Sequence, residues 1–214
     1  MKSPYVMMGG TFDPIHHGHL RTALEIQQWL NVPKVNLVPA KVPVHRESPG
    51  SSAEHRLAMV QHAVADEPAL GCNALEIESS HDSYTVLTLE KLREQHGEDT
   101  PLIMIVGMDA FLKLHTWFRA SELLTLANIL VVARPGYQAH FCDALKALVD
   151  SHITADKALL LARPQGVVCF HELTPLAISA TQIRNLIDDG LSARYLLPES
   201  VRRYIDDNQL YRTT

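Results

Sequence analysis

A chain of 214 residues that is 46% hydrophobic and 20% charged has the apolar content of one large globular domain. It can remove roughly 70% of its unfolded surface from water, which excludes wholesale disorder and leaves no room for a second full catalytic domain. Nineteen Lys plus Arg against 24 Asp plus Glu give a net charge of −5. That balance argues against nucleic acid as a partner, because holding a phosphate backbone needs a basic surface, but it leaves room for a small anionic ligand in a local basic pocket.

In chain order, short apolar runs alternate with longer amphipathic ones, the rhythm of strands and crossover helices in a parallel sheet. Tyr5 to Met8 reads as a strand, His19 to Leu30 as a helix ended by Pro33, Val35 to Val38 as a strand and Ala53 to Ala65 as a helix. Ala74 to Ile77 is expected as the third strand, followed by a helix over Thr85 to Gln95 and a buried strand over Leu102 to Val106. Glu122 to Ala127 reads as a short helix, Ile129 to Ala133 as a strand, Phe141 to Val149 as a helix and Val167 to Phe170 as a last strand. Two helical segments, Ala180 to Asp188 and Glu199 to Asp206, complete the series. Six β units with helices between them predict an α/β fold, a Rossmann-like doubly wound parallel sheet in which ligands bind at the carboxyl ends of the strands. Lys41 to Ser52 and Asp150 to Gln165 are the expected loops. The whole chain, 1–214, reads as a single domain with a small helical C-terminal part from about residue 178.

Cys72, Cys142 and Cys169 form no C-x-x-C pair, so they offer neither a disulfide framework nor a zinc knuckle and suit a reducing cytoplasm. The first residues turn polar too soon for a signal peptide, and no stretch approaches the ~18 apolar residues of a membrane span. Hydrophobic content sets no oligomeric state.

The chemistry concentrates after the first strand, in Gly9-Gly10-Thr11-Phe12-Asp13-Pro14-Ile15-His16-His17-Gly18-His19. Glycines at a strand end let a ligand approach the backbone, and Thr11 adds a hydroxyl. His16 and His19 are three apart with Gly18 between them at a helix start, so both imidazoles can face one ligand while the helix N-terminus adds partial positive charge. That arrangement suits a polyphosphate. A glycine turn with surface histidines, or a metal site of His16, His17 and His19, are the other readings. Neither G-x-G-x-x-G nor G-x-x-x-x-G-K-[ST] is present at a strand end.

His16-His17-Gly18-His19, taken with Ile178-Ser179-Ala180-Thr181-Gln182-Ile183-Arg184, resembles the H-x-G-H and I-S-x-T-x-x-R motifs of the nucleotidylyltransferase superfamily. The further landmarks Pro43 to Arg46, Ser83-Tyr84-Thr85, Gly107-Met108-Asp109, Thr116-Trp117-Phe118, Val132 to Gly136 and Tyr195 to Glu199 are similar to those of the bacterial nicotinate mononucleotide adenylyltransferases. The resemblance implies an enzyme of NAD biosynthesis that joins nicotinate mononucleotide to the AMP moiety of ATP. Nicotinate adenine dinucleotide and pyrophosphate would be formed by in-line attack without a covalent intermediate. It implies His16, His19 and Arg184 as catalytic residues, with Gly9, Gly10, Thr11, Phe12, Gly18, Gly107, Asp109, Ile178, Ser179 and Thr181 at ATP. Thr85, Trp117, His45, Arg46 and Arg134 would serve the mononucleotide, and Mg²⁺ would arrive with ATP, since no carboxylate cluster offers a protein metal site.

The residues make chemical sense of that activity. The nucleophile is already anionic, so alignment and charge neutralisation carry the reaction, and Arg184 offers a planar fork to pyrophosphate. Asp109 is either an acceptor for ribose hydroxyls or a helix cap. Arg46 is either a phosphate contact or a solvated arginine. The Thr85 helix N-terminus offers donors to a nicotinate carboxylate, and Trp117 a face to a pyridine ring, whereas Trp29 lies on an apolar stripe. The family usually carries an aspartate where this chain has Leu87. Other acceptors (pantetheine adenylyltransferases, cytidylyltransferases), a nucleotide sensor and a histidine-metal hydrolase are the competing functions. The chain is too short for a class I aminoacyl-tRNA synthetase.

Overall fold

The computed structural model describes residues 2–42, 50–79, 83–133, 140–174 and 176–212. Seven strands form one sheet: β1 (Tyr5–Gly10), β2 (Val35–Pro39), β3 (Leu70–Cys72), β4 (Leu102–Gly107), β5 (Asn128–Ala133), β6 (Ile153–Thr154) and β7 (Val168–Glu172). Their order is β3-β2-β1-β4-β5-β7-β6, and every pairing is parallel. The chain winds outward from β1 to β3 and then returns to the other side of β1 for β4. The crevice at the carboxyl ends of β1 and β4 is therefore the switch point, where a doubly wound sheet binds ligands.

Strand alternation divides the core into two layers. Val6, Ile103, Ile105 and Leu130 point to one face, where they meet Ala23, Ile26 and Leu30 of α1 (His17–Leu30) and Met59 and Val60 of α2 (Ala53–Val64). Met7, Met104, Val106, Ile129 and Val131 point to the other. There they meet α3 (Thr85–His96), α4 (Met108–Phe111), α5 (Leu123–Leu126) and α6 (Asp143–Val149). The first layer also holds Leu160 of α7 (Lys157–Ala162), Ile183 of α8 (Ala180–Asp188), and Val201 and Ile205 of α9 (Glu199–Asp207). The C-terminal helices thus share a core with Phe12 and Ile15 of the loop after β1.

Three expectations are corrected. The third strand is Leu70–Cys72, not Ala74 to Ile77: Asn73 donates its N–H to Leu37 O at 2.9 Å, and its Oδ1 accepts from Leu75 N at 2.9 Å, which closes a turn. The strand passes through Gly71 because a Cβ there would lie 2.7 Å from Asn36 Oδ1. Asp150 to Gln165 is not a loop. It holds a 3₁₀ turn (Asp150–His152), β6 and α7, whose cap Asp156 accepts from Ala158 N at 2.8 Å. The sheet consequently has seven strands rather than six. The expected helix over Glu122 to Ala127 divides into a 3₁₀ turn (Ala120–Glu122) and α5. No helix of the described residues is long and apolar enough to cross a membrane.

Candidate active site

The loop after β1 is shaped by its aromatic residue. Phe12 adopts a left-handed backbone (φ 50°) with its ring buried, a conformation that costs a bulky residue about 1–3 kcal/mol and persists only where its surroundings enforce it. The enforcement is packing: a Cβ on Gly10 would come within 2.8 Å of the Phe12 ring, and that ring meets His19 edge-on at a centroid distance of 5.1 Å. Phe12 was expected among the ATP-binding residues. Its side chain is sequestered, so only its backbone can reach a ligand. Gly9 is exposed at the strand end.

The helix begins two residues earlier than expected, at His17, with His16 at its N-cap in extended conformation and no side-chain capping bond. This geometry turns the His16 ring over the first turn, where it stacks on His19 at 3.7 Å between centroids and 20° between planes. A Cβ on Gly18 would sit 3.0 Å from two atoms of the His16 ring and 3.6 Å from Ile178 O. Glycine is therefore what lets the imidazole lie against the helix, and the Ile178 backbone abuts the same turn. Burial, and then the charge of His17, hold the His16 imidazole well below its usual range, at about 4, so the ring is neutral at physiological pH. Its Nδ1 is buried with no hydrogen-bond partner among the described residues.

The I-S-x-T-x-x-R segment completes that side. Ser179 caps α8 by accepting from Gln182 N at 3.1 Å, and Arg184 lies one turn in. Arg184 Nη1 donates to Asp13 O at 2.7 Å, and Nη2 donates to Thr181 Oγ1 at 3.4 Å. His16, His19, Gly18, Ile178, Thr181 and Arg184 are thus assembled from opposite ends of the chain. Across the switch point, Gly107 is exposed, and a Cβ there would meet nothing within 4 Å. Gly107 itself is the N-cap of α4, and Asp109 lies exposed in its first turn. The capping alternative for Asp109 therefore falls, and its carboxylate faces solvent at the ligand edge.

The expected mononucleotide residues on α3 and its neighbour are also brought close. Thr85 is the first residue of α3, after the cap residue Tyr84, whose ring packs on Phe118 at 4.6 Å. The first N–H groups of a helix have no intrahelical acceptor, so this end presents donors. Trp117 is half-buried, packed on the same apolar layer as Tyr84, and Arg119 reaches back to Glu90 of α3 at 2.7 Å. Leu87 packs against the apolar layer under α3, so the helix start is supported by burial rather than by a carboxylate. His45, Arg46 and Arg134 lie outside the described residues.

Three residues that supported no assignment in the sequence hold the site together. Arg56 is fully buried and donates to Thr11 O at 2.8 Å, Ala40 O at 2.5 Å and Lys41 O at 2.8 Å, which ties the loop after β1 to the end of β2. Its signal was an arginine within the apolar stripe of Met59 and Val60. Glu76 is buried, and burial raises its carboxyl above the usual range. It accepts from Thr88 Oγ1 at 2.7 Å and from Ser83, whose Oγ accepts from Lys41 N at 2.8 Å. Asp13, buried in the motif itself, is the third.

A seven-stranded parallel sheet with a histidine pair and a helix N-terminus at its switch point defines a nucleotide-binding α/β enzyme. Residues 7–186 match the family described as cytidylyltransferase-like. Proteins named probable nicotinate-nucleotide adenylyltransferase from Hahella chejuensis and Pseudomonas fluorescens are 46% and 44% identical, over 98% and 96% of this chain and 96% of each relative. The Plasmodium falciparum nicotinic acid mononucleotide adenylyltransferase complexed with NaAD has the same fold, with a TM-score of 0.72, 16% identity and 98% of each chain covered. The chain belongs to the cytidylyltransferase-like family, in its nicotinate-nucleotide adenylyltransferase branch.

Proposed function

We propose that this chain transfers the AMP moiety of ATP to the phosphate of nicotinate mononucleotide, giving nicotinate adenine dinucleotide and pyrophosphate in NAD biosynthesis. Its activity is that named for its full-length relatives, a nicotinate-nucleotide adenylyltransferase. The observation that carries the residue roles is the stacked His16–His19 pair, with His16 buried, on a helix turn whose Gly18 abuts the Ile178 backbone just ahead of the helix that bears Arg184.

The reacting phosphate oxygen of the mononucleotide is already an anion, so no group need remove a proton to activate it. The His16 ring, neutral at physiological pH, and the His19 ring stacked on it donate N–H to triphosphate oxygens. Arg184 and the N-terminus of α8 take up the charge that develops on departing pyrophosphate. Gly9, Gly10, Thr11 and Gly107 let the nucleotide approach the strand ends, and Asp109 accepts from ribose hydroxyls. Thr85 and Trp117 receive the pyridine ring and its carboxylate, with His45, Arg46 and Arg134 serving the mononucleotide phosphate.

The donor set also bears on the metal. Imidazoles, amide N–H groups and a guanidinium face the triphosphate, and the two Asp13 oxygens already accept three hydrogen bonds. Mg²⁺ therefore fits as an ion carried by ATP, and it would neutralise charge on the triphosphate. The three cysteines are free, which suits action in a reducing cytoplasm on small-molecule substrates.

Incubating the protein with ATP, Mg²⁺ and nicotinate mononucleotide should release pyrophosphate and an equal amount of dinucleotide. Pyrophosphate formed without the mononucleotide, or none at all, would overturn the reading.

A further inference from the structure

Asp13 is 4% exposed, yet it sits at the edge of the site among donors from three distant parts of the chain. Its Oδ1 accepts from Ser51 Oγ and from Tyr211 OH, both at 2.7 Å. Its Oδ2 accepts from Gly50 N at 2.7 Å and lies 3.7 Å from Arg184 Nη1. Arg184 also donates to the Asp13 backbone carbonyl, so one residue offers this guanidinium both a charge and a directional acceptor. The packing agrees: a Cβ on Gly50 would stand 3.2 Å from Arg184 Cδ and 3.2 Å from the Tyr211 ring, so the arginine stem and the tyrosine enclose that glycine between them. Tyr211 OH also lies 3.1 Å from Ser51 Oγ, and burial together with the Asp13 charge pushes the phenol up, so it remains a donor at any working pH.

We propose that Asp13 and Tyr211 are positioning residues for the adenylyl transfer, a buried carboxylate and its tyrosine brace that set the direction of the Arg184 guanidinium. The inference rests on the role given to Arg184 above. The physical argument is about freedom. An arginine side chain has considerable rotamer entropy to lose, and a third of this one remains exposed. Anchoring Nη1 on Asp13 leaves the remaining N–H groups aimed rather than searching, so that little reorganisation accompanies transfer of charge to pyrophosphate. The Tyr211 hydroxyl and Gly50 N–H hold the carboxylate itself, which would otherwise be free to turn toward the guanidinium and withdraw it from the ligand.

The test is a pair of double-mutant cycles on the full-length protein, read as kcat for pyrophosphate release. Tyr211→Phe keeps the ring against Gly50 and removes the bond to Asp13, while Asp13→Asn keeps the shape and removes the charge. Each is made alone and together with Arg184→Ala. Arg184→Ala should be strongly impaired, and Asp13→Asn should lower kcat by ~10-fold or more and Tyr211→Phe by ~3- to 10-fold in the parent. On the Arg184→Ala background both should change kcat by less than ~2-fold, because groups acting through one residue are not additive. A merely structural brace would lower kcat by the same factor in both backgrounds, and that result overturns the proposal, as would parent-like kcat in both single variants. If Asp13→Asn does not fold, the Tyr211→Phe cycle decides alone. Near-normal kcat for Arg184→Ala is a separate outcome: it removes the role of the arginine, and with it the proposal, while leaving the transferase activity standing.

Discussion

His16 ties the stability of the fold to the state of the site, and the coupling has a definite sign. Its folded pKa is about 4, against about 6.5 for an ordinary histidine in the unfolded chain. Between those values the unfolded state binds a proton that the folded state refuses, so stability conferred by the neutral ring is complete above pH ~6.5 and is lost as pH falls. For those two pKa values the loss at pH 5 relative to pH 8 is about 2 kcal/mol, a large part of a typical stability of about 5–15 kcal/mol. Glu76 works in the opposite direction: its raised carboxyl pKa makes the folded state the better proton binder, so its contribution grows as pH falls. A total pH profile would mix these effects. The measurement is therefore a difference, urea unfolding of the parent and of His16→Asn between pH 5 and 8, in which every other group cancels. The parent should lose about 2 kcal/mol more than the variant on going from pH 8 to pH 5. Parallel profiles would refute the claim that the imidazole is buried and neutral.

Two further outcomes follow from the same geometry. His19→Ala removes the stacking partner of His16 and, in the proposed transfer, one donor to the triphosphate, and should lower kcat by ~10² or more with the fold retained. His17→Ala should do much less, and comparable losses in steady-state assays of the two would contradict the assignment of the outer pair. Arg56→Met leaves the carbonyls of Thr11, Ala40 and Lys41 without their donor and should reduce unfolding free energy by ~3 kcal/mol or more; a loss under ~1 kcal/mol in urea titration would mean that the loop holds itself.

The legible part of this protein was the part written locally. Unbroken apolar runs such as Leu102–Val106 marked the strands, because both faces of a parallel strand are buried. The histidine motif announced itself because glycine and imidazole are grouped within eleven residues. Leu70–Cys72 escaped because Gly71 weakens any strand signal and is present for close approach to Asn36, while the turn that follows carries Leu75 and Glu76 inward and imitates a strand. The Asp13–Tyr211 bond joins residues 198 apart, and no spacing rule reaches that far. Arg56 was more accessible: an arginine at a buried position of an apolar helix stripe needs carbonyl partners, and the end of the neighbouring strand supplies them.

The acceptor itself is the most direct test of the account. In the proposed site the N-terminus of α3 at Thr85 offers donors, which would satisfy a carboxylate and oppose the NH₂ of an amide. A mispaired buried polar group costs about 1–3 kcal/mol, so parallel assays at equal ATP and Mg²⁺ should give nicotinate mononucleotide a kcat/KM at least ~10-fold above that of its amide relative. Equal efficiency, or a preference for the amide, would contradict a pocket lined by donors and with it the choice of nicotinate mononucleotide as substrate.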